Sequence, residues 1–247
     1  MTWIWLVAGI AILGGSLALA IVLDPARSRP APLALAALLV LLGGLAGVVA
    51  FVGAGVGGIG PGPLVQLALL GGYAFASLCW IAFATEYTGT APTTTRRWAA
   101  ALAALGVLAV GSSAITWFHD AGRRDFGALG TASYLSTFVL QVAVFSLGVL
   151  GVVLLARSTL RYDDLSAWRG ATLSVGGLGV ALLPFTIQLG QQLTTTSTLA
   201  IALGQIGATV GVFAAGRLRG DLLAPAPAAG HLAREAVPLL RIAIVLQ

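Results

Sequence analysis

Residues 31–85 read APLALAALLVLLGGLAGVVAFVGAGVGGIGPGPLVQLALLGGYAFASLCWIAFAT, with no Asp, Glu, Lys, Arg or His. About 20 apolar residues cross the hydrocarbon core of a bilayer, so this stretch holds two crossings, separated by the Gly- and Pro-rich residues 53–63. Three more uncharged runs lie at 1–23, 98–118 and 130–156. Inside lipid every backbone polar group must bond within the protein, which leaves helices or a closed barrel. The runs are continuous and do not alternate apolar with polar, so they predict helices.

The rest of the chain extends this pattern. Charged residues make up 9% of it and apolar ones 58%, against about 25% charged in soluble domains. Spans are expected near 3–23, 31–52, 64–85, 98–118, 131–156, 170–190 and 196–216. The fold class is therefore an all-α membrane protein, a seven-transmembrane-helix bundle in the cell membrane. The first span is read as a retained helix and not a cleaved signal peptide, because no charge precedes Asp24 and the apolar stretch is too long. Cys79 is the only cysteine and lies inside a span, so it forms no internal disulfide.

The formal charge of +5 is carried by 13 Arg and no Lys. These arginines sit in short connections, where they set topology and do not form a nucleic-acid surface. Arg27, Arg29, Arg96, Arg97, Arg157, Arg161, Arg169, Arg217, Arg219, Arg234 and Arg241 fall on one side; only Arg123 and Arg124 fall on the other. The side rich in arginine faces the cytoplasm. Seven spans then place the N-terminus outside and the C-terminus inside. Trp3, Trp5, Trp98, Trp117 and Trp168 fall at span ends, where amphipathic rings favour the interface, and only Trp80 lies deeper.

Several chemistries lack their residues. Without lysine, retinal has no Schiff-base partner. No Pro-Gln pair marks the seven-span sugar-transporter pattern, and no His cluster has metal spacing. The Gly-rich residues 53–63 lack the Lys and Ser/Thr of a phosphate loop. Charges within spans, the mark of an ion path, are nearly absent. No catalytic residue, metal or cofactor is expected.

Polar uncharged residues do occur within the spans. They include Gln66, Tyr73, Ser77, Ser113, Thr116, Tyr134, Thr137, Gln141, Thr186, Gln188 and Gln205. An apolar bundle with a few convergent polar groups is the composition of a small-ligand pocket, and also of helices tied together by hydrogen bonds. Gln66, Ser113, Thr116, Tyr134, Thr137, Gln141, Gln188 and Gln205 are the candidate ligand-binding set. Pro184 removes a backbone donor within the sixth span and kinks it. Gly207 and Gly211, four apart, form a small-residue face, as do Gly43 and Gly47.

The third span ends in Phe83-Ala84-Thr85-Glu86-Tyr87-Thr88-Gly89. A proline in the sixth helix and Thr194-Thr195-Thr196 before the seventh follow. The chain leaves the last span through Arg217-Leu218-Arg219-Gly220-Asp221-Leu222 and ends in the apolar segment 242–247. In these features it resembles the N-terminal seven-helix sensor region of prokaryotic sensor histidine kinases. The resemblance implies a sensor domain over 1–216. It also implies a cytoplasmic linker helix over 217–247 that runs into the first strand of a PAS-like output domain. It gives signalling or structural roles to Glu86, Tyr87, Gly89 and Pro184, and the small-residue face gives one to Gly207 and Gly211, on the helix that leads into the linker. The implied partners are the lipid bilayer, a small ligand or membrane stimulus, a second copy in a homodimer, and a cytoplasmic output domain or response regulator. The alternative is a seven-helix small-solute transporter, which would need a polar path through both leaflets.

The arginine asymmetry makes a direct prediction. A topology reporter fused after Arg219 reads cytoplasmic and one fused after Gly58 reads external; the opposite pattern reverses the orientation.

Overall fold

The computed structural model describes residues 2–22, 30–55, 63–89, 128–161, 167–192 and 195–218, together with residues 97, 100, 104, 107 and 111. Six helices are described in full: α1 Thr2–Val22, α2 Pro30–Gly53, α3 Pro63–Thr88, α4 Ala128–Arg161, α5 Ala167–Gln192 and α6 Thr195–Leu218. The five separate residues between Arg97 and Gly111 are also helical. The rest of the expected fourth span, 98–118, and the tail from 219 onward lie outside the described residues. No strand occurs among the described residues.

Five of the six helices are long and apolar enough to cross a membrane, namely α1 to α4 and α6. At about 1.5 Å per residue, helices of 21 to 26 residues match a core about 30 Å thick. α4 has 34 residues, longer than that thickness requires, and its apolar span is Leu135–Leu160. α5 begins with Trp168 and Arg169 and carries Pro184 inside it.

Local chemistry sets the helix ends. Pro30 and Pro63 open α2 and α3, where a missing N–H costs nothing. α3 ends at Gly89, whose φ of 68° is open to glycine at little cost; its N–H donates to Glu86 O at 3.3 Å. The glycine of the Glu-Tyr-Thr-Gly motif is thus a helix C-cap.

Each helix packs on the next described one in sequence. α6 returns against α1 and α2, and α3 also touches α5. α2 and α3 are central, with 61% of their most apolar windows buried, whereas α1 lies at the edge with 22%. The outer faces are strongly apolar: Ile4, Val7, Ile10, Phe75, Leu135, Val142 and Val153 are all exposed. A contiguous apolar surface of this kind calls for a lipid or protein neighbour.

The centre is built around Trp80. Its indole is fully buried, and Nε1 donates to Gly148 O of α4 at 3.1 Å. The ring lies against Gly151 of α4 and Gly177 of α5, at positions where any side chain would overlap it. Phe83 and Phe213 tilt against it at 5.6 and 6.3 Å, and Phe83 stacks on Tyr87 at 5.3 Å. Phe213 of α6 in turn occupies the space beside Gly176 of α5. Gly148 itself lies against the backbone of Ala181, so α4 and α5 approach closely.

The small-residue faces differ from one another. Gly43 closes on Ser16 and Leu13 of α1, while Gly47 only reaches Leu13 at 4.0 Å. On α6, Gly207 faces Ile12 of α1, but Gly211 has nothing within 4 Å. The Gly207–Gly211 pair is therefore one contact and one open position, not a continuous packed stripe.

These environments predict opposite outcomes for two glycines. Gly177→Ala overpacks the Trp80 site and lowers stability by about 1–3 kcal/mol. Gly211→Ala leaves stability unchanged or raises it by up to about 1 kcal/mol through helix propensity. Thermal unfolding of the two variants in detergent checks both.

Candidate functional site

Where α5 and α6 run side by side, small residues hold them apart just enough to leave a groove of 390 Å³. Its lining comes from Val175, Gly179, Leu182, Phe185 and Thr186 of α5 and from Gln205, Ala208, Thr209 and Val212 of α6. Val175, Leu182, Phe185 and Ala208 form an exposed apolar rim. No titratable side chain lines the groove.

Pro184 shapes the floor. It has no N–H, so the carbonyl of Val180, four residues earlier, loses its helical donor. On the neighbouring carbonyl, Gln205 Nε2 donates to Gly179 O at 3.1 Å across the helix interface. Thr186 Oγ1 lies 3.3 Å from Gln205 Oε1 and also against Leu183 O of its own helix. Thr209 Oγ1 donates to Gln205 O at 2.8 Å, and its side chain fills the space beside Gly179. Gln205 is thereby held at both ends of its amide. A carboxamide carries two donor hydrogens, so one on Nε2 is uncommitted.

A second layer lies behind Thr186. The Tyr73 side chain, 1% exposed, reaches Thr186 from α3, yet its hydroxyl closes no hydrogen bond of ordinary geometry. Ser77, one turn along the same face of α3, also has a buried hydroxyl without a partner, as does Tyr87. Buried polar groups are nearly always paired, and three on one face of one helix are unusual.

The candidates from sequence separate here. Gln205 lies at the groove floor. Thr137 is half-buried and Gln141 buried on α4, which contributes nothing to this groove. Gln66, Tyr134 and Gln188 lie within α3, α4 and α5, and Ser113 and Thr116 lie outside the described residues. Glu86 is exposed at the end of α3, next to the buried Tyr87. Pro184 is buried one turn from the groove floor and Gly207 lies two residues from Gln205. Thr186 and Tyr73 are visible in sequence as polar residues within spans. Only the packing shows that they share a site with Gln205. Gly179 carries no signal, since it contributes only a carbonyl, and Thr209, a polar residue within a span like Thr186, back-bonds to its own helix. No group of three or more His, Cys, Asp or Glu able to hold a metal occurs among the described residues.

Compared with known proteins, the chain matches no family model, no curated protein and no solved structure.

If the Gln205 amide ties α5 to α6, Gln205→Leu lowers stability by about 1 kcal/mol, within the range of interhelical hydrogen bonds in membranes. A double-mutant cycle with Thr186→Val gives a coupling of about 0.6 kcal/mol. Additive effects of the two substitutions dissolve the Gln205–Thr186 pair.

Proposed function

We propose that the chain is the membrane-embedded sensory module of a two-component-type receptor, a multi-pass protein of the cell membrane that passes a stimulus to a cytoplasmic kinase or PAS-like output. In this reading residues 98–118 form the fourth of seven spans, the N-terminus lies outside and the C-terminus in the cytoplasm. The second copy of a homodimer and a response regulator are its protein partners.

The observation that carries the reading is the position of Gln205. It lies on α6, the last of the described helices, from which the chain continues through Arg217 and Arg219 into the proposed linker. It is bonded to α5, which carries Pro184 in its interior. A ligand that binds two arrangements of α5 and α6 unequally shifts their populations. Displacements of about 1–2 Å between packed helices are enough for such switching. The resemblance in Glu86, Tyr87 and Gly89 and in the exit from the last span supports the same assignment. Charged residues, which a coupled transporter places along its path, are absent from the groove lining.

The test fuses the full chain to a kinase core with measurable autophosphorylation. Gly207→Leu forces α6 away from Ile12, where a Cβ already meets that side chain at 3.0 Å, and is expected to fix output high or low in a folded bundle. Gly211→Leu enters open space and leaves output unchanged. Equal output from both folded variants removes α6 as the transmitter and the sensor reading with it.

A further inference from the structure

We propose that the groove between α5 and α6 binds a small uncharged molecule that carries a carbonyl group on an aliphatic chain and enters sideways from the bilayer core. The inference deepens the sensor reading by naming the class of ligand, and it rests on that reading only for the consequence of binding.

Three features select this chemistry. The rim of Val175, Leu182, Phe185 and Ala208 is apolar and opens on the outer face of the bundle, so the route in is through lipid. The lining has no ionisable group to neutralise a charged ligand, and an unpaired charge in this setting is costly. Depth is the third feature. Gln205 is near the middle of the 24-residue α6, about 15 Å from its start and about 20 Å from its end. A lipid whose headgroup is anchored at the interface does not bring its ester carbonyls to that depth. A molecule wholly dissolved in the hydrocarbon does.

The hydrogen-bonding inventory selects an acceptor. Gln205 Nε2 keeps one hydrogen after donating to Gly179 O. Thr186 sits beside it at the floor, and behind Thr186 the Tyr73 hydroxyl has no partner. A ligand carbonyl at the floor can take the Thr186 hydrogen in place of Leu183 O, and Thr186 Oγ1, whose lone pairs are available in either state, is the acceptor within reach of the Tyr73 hydroxyl. A carbonyl oxygen at the floor thus receives Gln205 and Thr186 together, and the turn of the Thr186 side chain sets how well its oxygen aligns with the buried phenol. A plain hydrocarbon fills the same space and satisfies none of these donors.

The experiment uses the purified full chain in nanodiscs and a long-chain methyl ketone bearing a photoreactive diazirine, with labelled sites mapped by mass spectrometry. Labelling is expected to concentrate on residues 175–212. Unlabelled methyl ketone is expected to compete, whereas the matching alkane and added phospholipid do not. Ala208→Trp, at an exposed position that fills the groove, is expected to abolish labelling. Leu178→Trp, exposed on α5 but outside the lining, leaves it intact. Gln205→Leu and Tyr73→Phe each weaken competition about fivefold, the worth of one hydrogen bond. The proposal is overturned by labelling spread over the outer helices, by equal competition from the alkane, by indifference to Ala208→Trp, or by crosslinks showing that a second copy covers the groove. Loss of binding with intact switching in the kinase fusion removes this ligand and leaves the sensor reading. Binding without switching does the reverse.

Discussion

Between helices in a bilayer the hydrophobic effect does little, because lipid tails are as apolar as the side chains they would replace. Cohesion must come from close packing and from hydrogen bonds that have no water to compete with them. Trp80 supplies both. Its ring is the largest fully buried side chain among the described residues, and its N–H cannot be left unpaired in this setting. The bundle meets those demands at once, with the carbonyl of Gly148 for the N–H and the bare surfaces of Gly151 and Gly177 for the ring. α4 and α5 are thereby fixed against α3, and Phe213 brings α6 onto the same centre. The positions of all four helices depend on this one insertion.

The α5–α6 interface is built on a different principle. Beside the groove the contact is incomplete, and polar groups bridge the gap. Gln205 donates to a carbonyl next to the one that Pro184 deprives of its donor, in a helix already weakened at that turn. Hydrogen bonds between transmembrane helices are worth well under 2 kcal/mol each, so this pairing can be exchanged for another without unfolding the bundle. The Trp80 centre offers no such freedom. α6 thus meets the α3–α4–α5 core in two ways, through the fixed packing of Phe213 and through the exchangeable Gln205 pairing.

The unpartnered hydroxyls of Tyr73, Ser77 and Tyr87 belong to α3, the helix that carries Trp80. They lie on the inner face of α3, which also presents Trp80 and Phe83 to the centre. A helix locked by its tryptophan cannot turn to satisfy them. Their partners must therefore come to them, through rotation of a neighbour such as Thr186 or through a molecule held between the helices.

Much of this architecture is legible in one dimension. Uncharged runs of about 20 residues can only be helices in lipid, and prolines and glycines mark their ends, with Gly89 read first as part of a motif and now also as a cap. Gln205 stands out because a carboxamide within an apolar run needs a partner. Which partner was beyond the sequence, since Gly179 and Thr186 lie a helix away and the bond goes partly to a backbone carbonyl that every residue possesses. The glycines show the same division. Gly151, Gly177 and Gly211 look alike as letters in apolar runs. Two of them border an indole contributed by a residue about 70 to 100 positions earlier and one faces open space, because contact between helices is decided by how their surfaces fit and not by the composition of any one of them.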